Sequence, residues 1–136
     1  MEDYVSFEQA VRLKELGFDW KCNHYYDTQT KEFLPVDWFD YDGDVDADDL
    51  YDNNPPKDII SYRVSAPTLA QAQKWLRDVK KILILIDILR KNEKIFYWKI
   101  FNSETFWIYS SDPDFDTYEQ ALSAGIDKAL QILREE

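Results

Sequence analysis

The chain has very little cysteine, histidine or glycine, and each scarcity excludes a class of site. Because Cys22 is the only cysteine, no intramolecular disulfide can form, which agrees with a reducing cytoplasm. The three glycines, Gly17, Gly43 and Gly125, lie too far apart for a phosphate-binding loop. No apolar run reaches the roughly 20 residues of a transmembrane helix. The acidic start, Met1–Tyr4, lacks the features of a signal peptide, so we expect a cytoplasmic protein that does not bind membranes.

Cys22 and His24 are the only residues of their kinds, and they lie two positions apart in an extended segment. Such spacing places both side chains on one face of a strand. One cysteine and one histidine make half a zinc site at best, because a structural site needs four ligands. As a nucleophile and a base they lack a third, orienting group. We therefore expect an ordinary, half-buried strand face here and no catalytic residues.

Hydrophobic periodicity and capping patterns predict an α+β protein with a single domain over residues 1–136. Three helices are expected: one from Ser6 to a C-terminal cap at Gly17, one over Thr68–Lys80 and one over Thr117–Arg134. Six extended segments are expected, at Phe18–Tyr26, Lys31–Phe39, Ile59–Val64, Ile82–Leu89, Ile95–Phe101 and Thr105–Tyr109. We expect the helices to pack on a mainly antiparallel sheet of about five or six strands.

The three predicted helices begin with the same local pattern, a Ser or Thr followed three residues later by Gln and then Ala. This spacing is typical of a capping box, in which the two side chains bind each other's backbone amides. The first two helices are also followed by a predicted hairpin. Duplication of a helix–hairpin unit explains the repetition, and so does the general frequency of capping boxes and alanine in helices.

The formal charge of −11 is concentrated in the first half of the chain. Residues 1–66 hold 16 acids and 6 bases, a net charge of −10, whereas residues 67–136 hold 11 acids and 10 bases, a net charge of −1. Between Asp37 and Asp52 there are eight aspartates and no Lys or Arg. A field of this sign repels nucleic-acid phosphates and attracts cations or basic protein surfaces. We therefore expect no direct nucleic-acid binding and a protein partner with a basic surface.

An acidic loop is predicted at about residues 40–57, and its aspartates are the strongest site candidate. As an interaction surface it offers Asp40, Asp42, Asp44, Asp46, Asp48 and Asp49. Clustered carboxylates also suit Ca²⁺, and aligning the loop on the EF-hand glycine gives four candidate metal ligands, at Asp40, Asp42, Asp44 and Asp46. The same alignment places Trp38 at the first ligand position and Asp49 at the last, where Glu belongs. The charged docking surface is thus favoured over the calcium site, and no cofactor is expected.

Aromatic residues are concentrated on the last predicted strands, at Phe96, Tyr97, Trp98, Phe101, Phe106, Trp107 and Tyr109. Rings on a sheet stack nucleic-acid bases in single-strand binders, but those proteins also carry a basic groove, which is missing here. Packing against the later helices accounts for most of the rings. If one face of the sheet is uncovered, its rings form a protein-docking patch.

Two phrases resemble small uncharacterised proteins of gut-bacterial phages and prophages: Ser65–Arg77, and the closing helix pattern from Tyr118 to Ile126. The resemblance covers mainly the C-terminal half. It implies a bacterial or phage origin and supplies no catalytic residues. Together these features predict a non-enzymatic interaction or accessory protein, with nucleic-acid mimicry as one specific form. The alternative is a divalent-metal-binding protein or metal-dependent hydrolase that uses Asp40–Asp49.

Overall fold

The computed structural model describes residues 3–35, 62–89, 95–105, 108–112 and 114–135. The chain forms two compact units. The first unit is Tyr4–Pro67, and the second combines Met1–Asp3 with Thr68–Glu136. The prediction of a single domain over 1–136 stays a prediction.

The first unit contains one helix and one antiparallel sheet among its described residues. Its elements are α1 (Phe7–Glu15), β1 (His24–Asp27), β2 (Phe33–Pro35) and β3 (Arg63–Ser65). The strand order is β2-β1-β3. The predicted capping box is confirmed: the Gln9 amide donates to Ser6 Oγ at 3.2 Å, and the Ser6 amide donates to Gln9 Oε1 at 2.8 Å. Gly17 follows the helix at φ 96°, a conformation that glycine adopts without strain.

The second unit contains two helices and a second antiparallel sheet. Its elements are α2 (Leu69–Lys80), β4 (Ile82–Ile88), β5 (Phe96–Asn102), β6 (Ile108–Ser110) and α3 (Tyr118–Glu135). The strand order β4-β5-β6 is a simple meander. Thr68 caps α2 in a second capping box with Gln71, as predicted. The helix α3 packs on β4 and β5, and α2 packs on β4 and α3.

The α+β class and the three helices are confirmed in the described residues, but the prediction of one sheet of five or six strands is wrong. The strands form two separate sheets of three. The strand β3 pairs with β1, at Tyr25–Ser65 and Tyr26–Val64, and does not extend the meander of the second unit. Alternation of apolar residues identifies a strand but carries no information about its neighbour, which is why the pairing was missed.

The proposed repeat of a helix and a hairpin holds only as far as the hairpin. Antiparallel pairs follow both capped helices, β1–β2 after α1 and β4–β5 after α2. The third strand is then added differently, because β3 pairs with the first strand of its hairpin and β6 with the second. The two sheets therefore share a local pattern and differ in topology.

The helix α3 lies close against the second sheet at Gly125. A Cβ atom added to Gly125 would lie 2.9 Å from Ile84 Cγ2 and 3.2 Å from Trp98 Cβ. Ile84 is buried and Trp98 lies on the adjacent strand. The missing side chain lets the helix backbone lie directly on β4 and β5, so this glycine sets the distance between the two layers.

We predict that Gly125→Ala destabilises the protein. Alanine gains about 1 kcal/mol of helix propensity, but overpacking in a filled core costs about 1–3 kcal/mol, so we expect a net loss of stability of up to about 2 kcal/mol. Denaturant unfolding followed by circular dichroism measures it. Gln131→Ala on the exposed side of α3 is the control and should stay within about 0.5 kcal/mol of wild type. A Gly125→Ala protein that is more stable than wild type by the full helix-propensity gain of about 1 kcal/mol would contradict the tight contact.

Candidate functional site

The register of the second sheet separates its side chains into two faces. In β4 and β5 the even-numbered residues face α3, because Ile84 and Trp98 are the residues nearest to Gly125. Side chains alternate along a strand, so the odd-numbered residues lie on the opposite face. We call this opposite surface the outer sheet face. It consists of Leu83, Leu85, Asp87, Tyr97, Lys99 and Phe101, with Ile108 and Ser110 opposite Phe101 and Lys99 on β6.

Apolar side chains are exposed on the outer sheet face. Leu85 keeps 47% of its surface exposed and Ile108 keeps 72%, while Leu83 and Phe101 are half-buried. An antiparallel sheet with one covered face normally places polar residues on the other. Here most positions are apolar or aromatic instead. A contiguous apolar patch on a folded surface is a mark of an interaction site.

A polar cluster lies beside the apolar residues on the same face. The Tyr97 hydroxyl donates to Asp87 Oδ2 at 3.3 Å, and Lys99 Nζ donates to the same oxygen at 3.4 Å. The hydrogen bond from the Ile88 amide, together with the neighbouring Lys99 ammonium, lowers the pKa of Asp87. The Tyr97 hydroxyl and the Asp87 carboxylate raise the pKa of Lys99. Both groups therefore hold their charges at neutral pH, and the cluster offers a solvent-exposed ion pair for recognition.

Among the described strands, β4 pairs with β5 on one side, and side chains cover part of its other edge, which we call the free edge. The backbone carbonyl of Ile84 accepts a hydrogen bond of 2.7 Å from Gln73 Nε2 on α2. The amide of Ile88 donates to Asp87 Oδ1 at 2.8 Å. Both backbone groups point away from β5, toward the side of β4 on which an added strand would bind. Side chains that occupy an edge in this way hinder pairing with another chain, so the outer sheet face is more accessible than the edge.

An aromatic cluster in the first unit was not predicted from the sequence. The rings of His24 and Phe33 stack at 4.7 Å with an interplanar angle of 6°. The ring centroid of Tyr4 lies 4.8 Å from that of His24 and 4.9 Å from that of Phe33. The ring centroid of Tyr26 lies 5.3 Å from that of Phe33. The antiparallel pairing of β1 and β2 brings His24 and Phe33 together. Their spacing in the chain gives no periodic signal, which is why the sequence did not reveal the cluster.

Cys22 and His24 have different environments. The strand β1 begins at His24, so the predicted strand from Phe18 was too long at its start. Cys22 is 1% exposed, and its thiol donates to the carbonyl of Trp20 at 3.5 Å. His24 is half-buried, with Nδ1 2.8 Å from the side-chain oxygen of Asn23. Within the described ranges no three His, Cys, Asp or Glu residues are grouped to hold a metal ion.

The acidic loop lies outside the described residues, and so do all of its predicted site residues: Asp40, Asp42, Asp44, Asp46, Asp48 and Asp49. The calcium site and the acidic interaction surface therefore stay predictions. Phe106 and Trp107 of the predicted aromatic cluster also lie outside. The remaining rings divide between the two faces, with Tyr97 and Phe101 on the outer sheet face and Phe96, Trp98 and Tyr109 on the face toward α3.

Comparisons with family models, with curated proteins and with solved structures give no match. The resemblance to phage proteins thus stays a prediction. Among the helices in the described parts of the chain, none combines the length and the apolar character needed to cross a bilayer.

We predict that Gln73→Ala exposes the edge of β4. The Ile84 carbonyl then loses its partner, which should lower the free energy of unfolding by about 0.5–1.5 kcal/mol and increase edge-to-edge association. Thermal unfolding and light scattering at rising protein concentration measure the two effects. Gln71 is needed for the helix cap, so Gln131→Ala serves as the control for loss of a helical glutamine. A monomeric variant of unchanged stability would show that the Gln73 contact does not protect the edge.

The stability contributed by His24 should depend on pH. Burial lowers the pKa of His24 from its ordinary value of 6.5. Below about pH 6.5 the unfolded chain therefore binds more protons than the folded chain, so this stability is present above that pH and is lost as the pH falls toward the lowered pKa. We compare the free energy of unfolding of wild type with that of His24→Gln. The value for wild type minus the value for the variant should decrease as the pH is lowered from about 7.5 to 5.5. A constant difference over that range would contradict the shift.

Proposed function

We propose that this chain is a non-enzymatic, cytoplasmic interaction protein of phage or prophage origin that docks a protein partner on the outer sheet face. The observation that carries the proposal is the exposure of Leu85 and Ile108 on a sheet face that does not contact α3. Burying such side chains in a partner releases about 25 cal/mol for each Å² of apolar surface. Keeping them in water gives the isolated protein no such gain.

The polar cluster adds specificity to this surface. A partner that covers the outer sheet face must also satisfy the Asp87 carboxylate and the Lys99 ammonium, which lie 3.4 Å apart. A partner without matching polar groups would leave a buried ion pair poorly hydrogen-bonded, which is costly. The apolar residues thus supply binding energy, while the ion pair selects among apolar partners.

The excess negative charge of residues 1–66 supports a second contact with a basic surface of the partner. A net charge of −10 in that half of the chain attracts basic proteins over long distances and accelerates their association. Mimicry of a nucleic-acid backbone is the specific form of this proposal, with Asp40–Asp49 as the imitating segment. The outer sheet face and the acidic segment make separable contributions, because one is apolar and the other is electrostatic.

Partner capture from a bacterial host lysate tests the proposal when matched surface variants are compared. Leu85→Ser with Ile108→Ser removes the exposed apolar groups of the outer sheet face. Val79→Ser is the control, because Val79 on α2 is 48% exposed and lies outside that face. We expect a partner held by wild type and by Val79→Ser to bind the double variant at least tenfold more weakly, and binding of the purified partner measures it.

The other outcomes are equally informative. A partner held equally by all three proteins would overturn docking on the outer sheet face, and so would a wild-type protein that captures nothing. Loss of the partner only on Asp→Asn substitution at positions 40, 42, 44, 46, 48 and 49 would assign docking to the acidic segment instead. Thermal unfolding of each variant confirms that it is folded before binding is compared.

A further inference from the structure

A groove of about 250 Å³ lies between α2 and the free edge of β4. One wall is apolar and includes Leu83 and Leu85, which also belong to the outer sheet face. The other wall comes from α2 and includes Gln73, Lys74 and Arg77. The groove therefore continues the outer sheet face around the edge of β4 toward a helix, and the two surfaces share the same leucines.

The wall formed by α2 is positively charged. Lys74 and Arg77 are exposed, and their spacing of three residues places them on the same side of the helix. Arg77 Nε donates a hydrogen bond of 2.9 Å to Asp78 Oδ1. Because both side chains are more than 40% exposed, water screens this ion pair. The described residues that line the groove include no Asp or Glu. A groove with one apolar wall and one basic wall fits a ligand with an apolar stripe beside carboxylates.

The geometry of the edge favours a helix over an added strand as that ligand. Gln73 already occupies the Ile84 carbonyl that an incoming strand would need, at 2.7 Å. A helix makes no backbone hydrogen bonds to its partner and binds through side chains spaced three and four residues apart. Its apolar stripe would contact Leu83 and Leu85, and its acidic flank would face Lys74 and Arg77.

We propose that this groove binds an acidic amphipathic helix of the protein partner. The proposal rests on the proposed function, in which the outer sheet face docks a protein, and adds the chemistry of the segment that docks there. The proposal also distinguishes the local charge of the groove from the net charge of the chain. The chain as a whole is strongly acidic, whereas this groove is locally basic, so the groove selects a segment that the rest of the chain repels.

Two synthetic helical peptides test the proposal. Each peptide has about 18 residues and the same leucine stripe. The residues beside the stripe are Glu in one peptide and Lys in the other. Nuclear magnetic resonance titration of the full chain locates binding through the methyl signals of Leu83 and Leu85. We expect the Glu peptide to shift these signals and to bind at least tenfold more tightly than the Lys peptide.

Charge reversal in the groove supplies the matched variants. Lys74→Glu should weaken binding of the Glu peptide at least tenfold. Arg134→Glu makes the same change of charge at an exposed position near the end of α3, and we expect it to leave the affinity within about twofold. Both substitutions are at exposed helical positions, so both proteins should fold.

Three results would overturn the proposal: the Lys peptide binding as tightly as the Glu peptide, shifts confined to residues outside the groove, or no shifts up to about 1 mM peptide. Failure here is distinguishable from failure of the proposed function. A natural partner lost by the Leu85→Ser and Ile108→Ser protein but kept by Lys74→Glu leaves docking on the outer sheet face intact and removes the acidic helix. A partner kept by both variants removes both proposals.

Discussion

The contact of Gly125 with Ile84 and Trp98 determines which sheet face of the second unit is available. Because α3 lies directly on even-numbered positions of β4 and β5, those positions supply the buried residues Ile82, Ile84 and Ile100, and the odd-numbered positions form the outer sheet face. A shift of one residue in register would exchange the two sets of side chains. The branched residues Ile82, Ile84 and Ile100 would then be exposed, so burial of the core and composition of the outer face are one constraint.

The outer sheet face resembles a core surface more than a solvent-facing one, yet it is not uniformly apolar. Leu83 and Ile108 flank Phe101 at one end, Leu85 lies opposite Lys99 in the middle, and Asp87 lies opposite Tyr97 at the other end. A purely apolar face would associate with many partners and with itself. In the proposed docking, the ion pair would disfavour burial against a partner that does not match its charges. The covered edge of β4 acts in the same direction, since Gln73 hinders non-specific strand addition.

Local signals in the sequence predicted the local structure well. Ser6, Thr68 and their glutamine partners identified the helix starts to the residue, because capping depends on groups three positions apart. Burial within a helix is less evident from local signals: in α2 the side chain of Trp75 is buried, whereas Val79, one turn further on, is exposed.

Long-range pairing could not be predicted. The partner of β3, the split into two sheets and the stacking of His24 on Phe33 all depend on contacts between residues distant in sequence. The candidate surface shows the same limit. A continuous branched run such as Ile82–Ile86 is typical of a strand covered on both faces, and only the register and the position of α3 show that Leu85 is exposed.

The dimensions of the outer sheet face indicate how strong a docking interaction it supports. Two strands of seven residues and one of three, about 4.8 Å apart, present a surface on the order of 250–300 Å². A stable interface buries about 800 Å² on each partner. The sheet face alone therefore supports a weak contact, and tight binding needs additional surface.

The groove beside α2 supplies part of this additional surface, because it is continuous with the outer sheet face through Leu83 and Leu85. In the proposed docking, the acidic half of the chain would add long-range attraction to a basic region of the partner. On that proposal the electrostatic field accelerates the encounter, and the short-range contacts at the sheet face and the groove determine how long the complex lasts.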